Sequence, residues 1–224
     1  MSPEIAFADV TDWVFDLDNT LYPPQARLFA QIEVKMTAYV MRVLGVGAEE
    51  ADHLRDQYWR LYGTTLAGLM HEHGVDPLPY LAEVHDISFD SLTPDPALRA
   101  AIADLPGRRI VFTNGSAPYA ENVLAARGLS GLFDGVYGVE DAGFHPKPHR
   151  EAFDAVFARA GITPKRAAMF EDDPRNLAVP HAMGMQTVHV GPKPERAAHI
   201  GFHTNDLPQF LTTLRHRGHR PQAR

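Results

Sequence analysis

Cysteine is absent from all 224 residues. That absence excludes disulfides, thiolate zinc sites, iron–sulfur clusters and a cysteine nucleophile together. Also missing is any apolar run near the roughly 18 residues that a bilayer-spanning helix requires. The opening Met1-Ser2-Pro3-Glu4 lacks the positive charge and long apolar stretch of an export signal, so a cytoplasmic protein is expected. Basic residues are in deficit, with 21 Lys and Arg against 28 Asp and Glu and a net charge of -7. An acidic chain argues against nucleic acid and anionic membranes as partners. The last ten residues run the other way, with four Arg and no acid, and read as a basic, frayed tail over 215–224. What is present is ordinary for a packed globular protein: 45% hydrophobic, 22% charged and 9% aromatic residues. The length suits one core domain carrying a small insertion.

Continuous rather than alternating apolar runs mark the chain. Trp13-Val14-Phe15 ends at Asp16, Arg109 to Phe112 ends at Thr113-Asn114-Gly115, and Ala167 to Phe170 ends at Glu171-Asp172-Asp173. Such runs suit strands buried on both faces of a parallel sheet. Thr187 to Val190 and Gly135 to Tyr137 are further candidate strands. Helical patterns lie between them, over 95–105, 118–127 and 148–160, the last two followed by Gly128 and Gly161. The alternation predicts an α/β fold, a doubly wound parallel sheet with its polar clusters where strands hand over to loops. From 25 to 91 only helices are expected, near 28–43, 48–62, 64–73 and 77–84. This helical insertion reads as a lid over the first strand's loop, or else as a subdomain added for stability. The expected division is a core of 1–23 and 92–214 with a helical cap of 24–91.

Asp16-Leu17-Asp18-Asn19-Thr20 carries the central chemical signal. Two carboxylates two positions apart, beyond a buried strand, suit covalent phosphoryl transfer. In such a transfer Asp16 would attack phosphorus, and Asp18 would protonate the departing alkoxide and then deprotonate water. A bare Asp-x-Asp also fits two acids capping a turn. The other clusters weigh against that plainer reading. Thr113 and Asn114 offer donors for phosphoryl oxygens. Lys147, between Pro146 and Pro148, supplies one directed cation. Glu171-Asp172-Asp173 offers the hard oxygen ligands that Mg²⁺ takes, and Mg²⁺ on Asp16, Asp172 and a backbone carbonyl would offset the repulsion between nucleophile and phosphate. Neighbouring carboxylates should also help keep Asp18 protonated.

The ordered set Asp16/Asp18, Thr113, Lys147 and Glu171-Asp172 resembles the four motifs of the haloacid dehalogenase superfamily, across about residues 12–200. The resemblance implies a parallel α/β core with a helical cap inserted after the first motif. It also implies Asp16 as nucleophile, Asp18 as acid/base and carbonyl ligand of Mg²⁺, and Asp172 as the second metal carboxylate. Thr113 and Asn114 would contact the phosphoryl group and Lys147 would steady it, with Glu171 and Asp173 in the metal's outer shell. More narrowly, Phe15 to Pro23, Tyr62 to Leu69 and Phe170 to Leu177 are similar to the pyrimidine 5'-nucleotidase family. That implies a nucleoside 5'-monophosphate such as UMP or CMP. A sugar phosphate, phosphoglycolate or flavin mononucleotide is the alternative for the same chemistry. Tyr119 stands where a His is expected from that family, and Asp173 where Ser is frequent.

Other candidates carry less. Tyr58, Tyr62, Thr64 and Thr65 are candidates for the cap's inner, substrate-facing side, although aromatic residues on amphipathic helices also fit a core. His71 and His73, two apart on one helix, point in different directions and make no chelating pair. His145 and His149 are interrupted by prolines. Pro180 is expected to begin a helix. Dehalogenation is disfavoured by the presence of Asp18, and a non-catalytic phosphate-binding protein by the presence of both acids. A small phosphorylated metabolite is the expected partner.

Overall fold

The structure, a computed structural model, describes residues 2–214; the basic segment 215–224 lies outside the described residues. In chain order the elements are α1 (Pro3–Ala6), β1 (Asp12–Phe15), α2 (Leu28–Leu44), α3 (Ala48–Tyr62), α4 (Thr65–His73), α5 (Pro77–Val84), α6 (Pro96–Ala103), β2 (Arg108–Phe112), α7 (Ala117–Ala126), β3 (Gly135–Tyr137), α8 (Arg150–Ala160), β4 (Ala167–Glu171), α9 (Ala178–Ala182), β5 (Gln186–Val190), β6 (Phe202–Thr204) and α10 (Leu207–Thr213). Six strands form one sheet in the order β3-β2-β1-β4-β5-β6, every neighbouring pair parallel. The expected doubly wound parallel sheet is therefore the fold.

Both faces of the sheet are covered, which is why its strands read as unbroken apolar runs. Trp13 and Phe15 point to one side with Ala168 and Phe170, in a core that also holds residues of the α2–α7 helices. Val14 points to the other side with Ile110, Phe112 and Met169, against Phe153, Val156 and Phe157 of α8. Strand order reverses direction at β1, between β2 and β4. Loops that leave the carboxyl ends of β1 and β4 thus diverge, and the crevice between them is the natural ligand site of such a sheet.

Helices α2–α5 lie between β1 and β2 in sequence. Helix α3 packs tightly on α4, because Gly68 leaves no room for a side chain: a Cβ there would lie 2.3 Å from the Tyr58 ring. At Gly63 (φ 88°) the chain turns from α3 into α4 beside the Lys147 loop, and a Cβ would sit 3.2 Å from the Lys147 carbonyl. Arg127, buried after α7, ties down both connections to this helical insertion. It donates to the carbonyls of Leu21 (3.1 Å) and Thr93 and pairs with Asp95 at 2.7 Å. The short strand β6 and helix α10 gave no signal in the sequence analysis. Pro180 sits within α9 rather than at its start, since a 3₁₀ turn over Pro174–Leu177 leads into that helix.

Candidate active site

Each chemical residue sits where a strand ends. Asp16 follows β1, Thr113 follows β2, Glu171 closes β4 and Asp172 follows it. Because β2, β1 and β4 are adjacent, these side chains converge. The Asp16-to-Tyr22 segment then curls as a helical turn, with Leu21 N–H donating to the Leu17 carbonyl at 2.9 Å. The curl brings residues four apart together. Thr20 donates to Asp16 Oδ2 at 3.0 Å, and Tyr22 donates to Asp18 Oδ1 at 2.6 Å. Asn19 adopts φ 59°, a conformation Asn tolerates, and its amide donates to Asp172 at 3.2 Å.

Lys147 is 1% exposed. Its Nζ donates to Asp16 Oδ1 and Glu171 Oε2, both at 2.7 Å, and to the Phe112 carbonyl at 3.0 Å. Burial lowers its pKa, but the charges of Asp16 and Glu171 outweigh burial and hold the ammonium protonated above its usual range. Asn114 clamps the backbone of Lys147 from both ends of its carboxamide, accepting from its N–H at 2.8 Å and donating to its carbonyl at 3.1 Å.

Asp16, Glu171 and Asp172 each bring a carboxylate oxygen within 4.8 Å of the other two. Ionised, these three meet one ammonium, which leaves two negative charges unmatched. The repulsion shows in the titration of Glu171 and Asp172. Burial and then the charge of Asp16 raise Glu171 well above the usual carboxylate range and Asp172 to about 7. Asn176 lines the same cavity, buried, with Oδ1 unpartnered. Clustered hard oxygens with excess negative charge fit a divalent cation such as Mg²⁺.

Asp18 is the other perturbed acid. Burial, then the charge of Asp16, raise it to about 6 despite hydrogen bonds from Tyr119 and Tyr22. Both hydroxyls reach the same oxygen, Oδ1, at 2.6 Å, so the proton of the neutral acid belongs on Oδ2. Tyr119 in turn stacks on His85 at 4.3 Å. His85 comes from the helical insertion, bonds Ser116 at 3.0 Å, and is kept neutral by burial, its pKa pushed down to about 4.

A cavity of about 1130 Å³ opens above these groups, walled by the strand ends on one side and by α2, α3 and α5 on the other. Across its rim the Arg175 guanidinium lies 3.5 Å from the centre of the Trp59 ring while pairing with Asp173 at 2.6 Å. The aromatic face attracts the cation and joins the insertion to the Asp172 loop.

Several expectations need correction. The amide of Asn114, which lines the cavity, holds the backbone of Lys147 and thereby positions the lysine, a role the sequence did not suggest. Glu171 belongs to the inner carboxylate cluster, because Lys147 draws it in. Asp173 turns to Arg175. Tyr58 and Tyr62 do not line the cavity: Tyr58 packs on Gly68 and bonds His73 at 2.7 Å, and Tyr62 stacks on His71 and donates to Glu72. Thr64 and Thr65 do line it, Thr64 also capping α4 by accepting from Ala67 N–H at 3.1 Å. The Thr113 hydroxyl accepts from Gly115 N–H at 2.9 Å, which leaves its proton free to donate. The sequence analysis missed Thr20, Tyr22, the contact of Tyr119 with Asp18, His85 and Asn176. Thr20 and Tyr22 were findable from their four-residue spacing to the two acids.

No helix among the described residues is long and apolar enough to cross a membrane. Phosphate metabolism protein 8 of Saccharomyces cerevisiae is 27% identical over 188 residues, covering 76% of this chain and 58% of that protein. The chain thus spans little more than half the length of that relative. Among solved structures, the magnesium-bound HAD-hydrolase YfnB from Bacillus subtilis superposes with a TM-score of 0.62 at 16% identity, covering 92% of this chain and 98% of that one. A HAD phosphatase from Thermococcus onnurineus gives 0.60 at 18%, with the same coverage. The L-2-haloacid dehalogenase of Xanthobacter autotrophicus, carrying covalently bound chloropropionic acid, gives 0.59 at 17%, covering 93% and 99%. Identities this low establish the shared fold. The haloacid dehalogenase-like hydrolase family matches residues 14–184, and the chain belongs to that family.

Proposed function

We propose that the chain hydrolyses small phosphomonoesters through an aspartyl-phosphate on Asp16, with Mg²⁺, and that its substrate is a pyrimidine nucleoside 5'-monophosphate. One observation carries the reaction type. Asp16 is held between Lys147 and Thr20 on the cavity floor, next to an acid, Asp18, whose environment raises its pKa to about 6. A dehalogenation needs no proton donor for an alkoxide, whereas phosphate ester cleavage does.

An oxygen of Asp16 forms the bond to phosphorus as the ester P–O bond breaks. The proton on Asp18 passes to the leaving alkoxide. Asp18, now a carboxylate, takes a proton from water as that water attacks the phosphoryl group, releasing phosphate and restoring both acids. The Thr113 hydroxyl donates to a phosphoryl oxygen, and Lys147, its three protons on Asp16, Glu171 and the Phe112 carbonyl, holds Asp16 in place beside the phosphate. Asp16, Asp172, Glu171 and the Asp18 carbonyl would hold Mg²⁺, which supplies charge neutralisation between carboxylate and phosphate. The helical segment 24–91 acts as the cap that selects the leaving group, in a cytoplasmic protein. The printed names of the yeast relative and of the Thermococcus phosphatase agree with phosphate chemistry.

The test is phosphate release from a panel of phosphomonoesters, with Mg²⁺ and with chelator. It includes UMP, CMP, ribose 5-phosphate, phosphoglycolate, flavin mononucleotide and an L-2-haloacid control. Mg²⁺-dependent turnover led by UMP or CMP is expected. Leadership by another phosphate removes the substrate assignment; halide release, or no phosphate release at all, removes the reaction.

A further inference from the structure

The cavity continues away from Asp16 into the helical insertion, where its wall changes character. Ile32, Met36, Leu81 and Val84 provide apolar surface, and two hydrogen-bond donors lie among them without partners. Tyr80 is 2% exposed, yet its hydroxyl meets no protein acceptor. Arg55 uses NH1 on Thr37 (2.7 Å) and Asp52 (3.0 Å), with NH2 3.6 Å from Glu33, while its buried Nε is unpartnered. Buried donors are nearly always satisfied in folded proteins, so two unsatisfied ones on a single cavity wall mark an acceptor supplied from outside.

Charge narrows what that acceptor is. Of the three acids that line this part of the cavity, Asp56 pairs with Arg60 while Glu33 and Asp52 share Arg55, which leaves one negative charge in excess. A carboxylate or a second phosphate entering here would meet excess negative charge. An uncharged oxygen acceptor meets no such repulsion, and a flat ring carrying it would cover the apolar wall.

We propose that Tyr80 and Arg55 form a specificity pocket for an uncharged, carbonyl-bearing ring on the leaving group of the substrate. This rests on the reading that the strand-end site binds the phosphate of the same molecule. It adds the residues that read the other end, and it disfavours anionic leaving groups such as glycolate.

Tyr80→Phe removes only the unpartnered hydroxyl. In the free protein its Tm should stay unchanged or rise, since a buried unsatisfied group is lost. Binding is read by calorimetric titration with Mg²⁺ in an Asp16→Asn background, where turnover does not interfere. UMP should bind about 10-fold more weakly to Asp16→Asn/Tyr80→Phe than to Asp16→Asn. Ribose 5-phosphate, which lacks the ring carbonyls, should change less than about 2-fold. No binding of UMP, equal losses for both ligands, no loss for UMP, or a fall in Tm of the free Tyr80→Phe protein would overturn the pocket. Failure of the hydrolytic reading registers separately, as absent turnover in the wild type despite Tyr80-dependent binding.

Discussion

Tyr119 donates its hydroxyl to Asp18 Oδ1 at 2.6 Å, across 101 residues of chain, and thereby fixes which carboxylate oxygen is free to carry a proton. Its hydrogen bond favours the ionised acid, opposing burial and the charge of Asp16. Removing the hydroxyl therefore raises the pKa of Asp18. In the proposed mechanism the first half-reaction uses protonated Asp18, so Tyr119→Phe should move the alkaline limb of kcat/KM for an alkyl phosphate to higher pH, by up to about one unit. A pH–rate profile that keeps its alkaline limb in place would refute this role.

Asp16 and Asp18 should fail in different ways. Asp16→Asn replaces the proposed nucleophile by an amide and should lower turnover by more than about 10³-fold. Asp18→Asn keeps the nucleophile but cannot deprotonate water. With a good leaving group such as p-nitrophenol it should accumulate phosphate on Asp16. Acid quench followed by peptide mass spectrometry checks this, and an unmodified Asp16 peptide throughout turnover would exclude the covalent route.

Lys147 is held by two buried carboxylates, and removing it strands both. Lys147→Met should cost about 3–5 kcal/mol of stability, measured by denaturant unfolding in chelator. Lys147→Arg should not rescue fully, because a planar guanidinium does not fit a site shaped around a compact ammonium. Stability close to wild type for Lys147→Met would show that Asp16 and Glu171 find their charge compensation elsewhere.

The carboxylate cluster makes stability depend on pH with an unusual sign. Asp172 is raised from an ordinary carboxylate value to about 7, and Asp18 to about 6. Between roughly pH 4 and 7 these two acids bind more protons in the folded protein than in the unfolded chain, which outweighs the one proton that buried His85 gives up, and stability falls as pH rises. Metal-free protein should therefore unfold at a lower temperature at pH 8 than at pH 5.5. Mg²⁺ should reverse the order, because it replaces those protons and binds only the folded state. Thermal scans at the two pH values, with chelator and with Mg²⁺, distinguish this from a flat profile. Equal Tm values in chelator would show that the cluster carries no excess charge.

Much of the fold was legible because parallel strands covered on both faces leave an unbroken apolar signature, as in Trp13-Val14-Phe15 and Ala167 to Phe170. Helices α3, α4 and α5 were legible as helical spans near 48–62, 64–73 and 77–84, in a stretch where no strand pattern interrupts them. Strand β6, Phe202–Thr204 at one sheet edge, left no comparable pattern, because its two half-buried residues include His203 and form no apolar run. Chemistry at the strand ends was legible for a related reason: Asp16, Thr113 and Asp172 each follow a strand, and the order of such loops places them on one edge.

What the linear chain could not supply was the partnering of side chains far apart in sequence. Composition and spacing established the elements, the parallel sheet and the acids and cation at its edge, because periodicity and strand-to-loop order are local properties. Tertiary packing decided that Asn114 holds the backbone of Lys147, that Glu171 joins Asp16 and Asp172, and that Tyr119 meets Asp18. It also left the hydroxyl of Tyr80 unpaired on the cavity wall. A hydrogen bond is made or lost over less than an ångström, and that distance is set only when the helices close over the sheet.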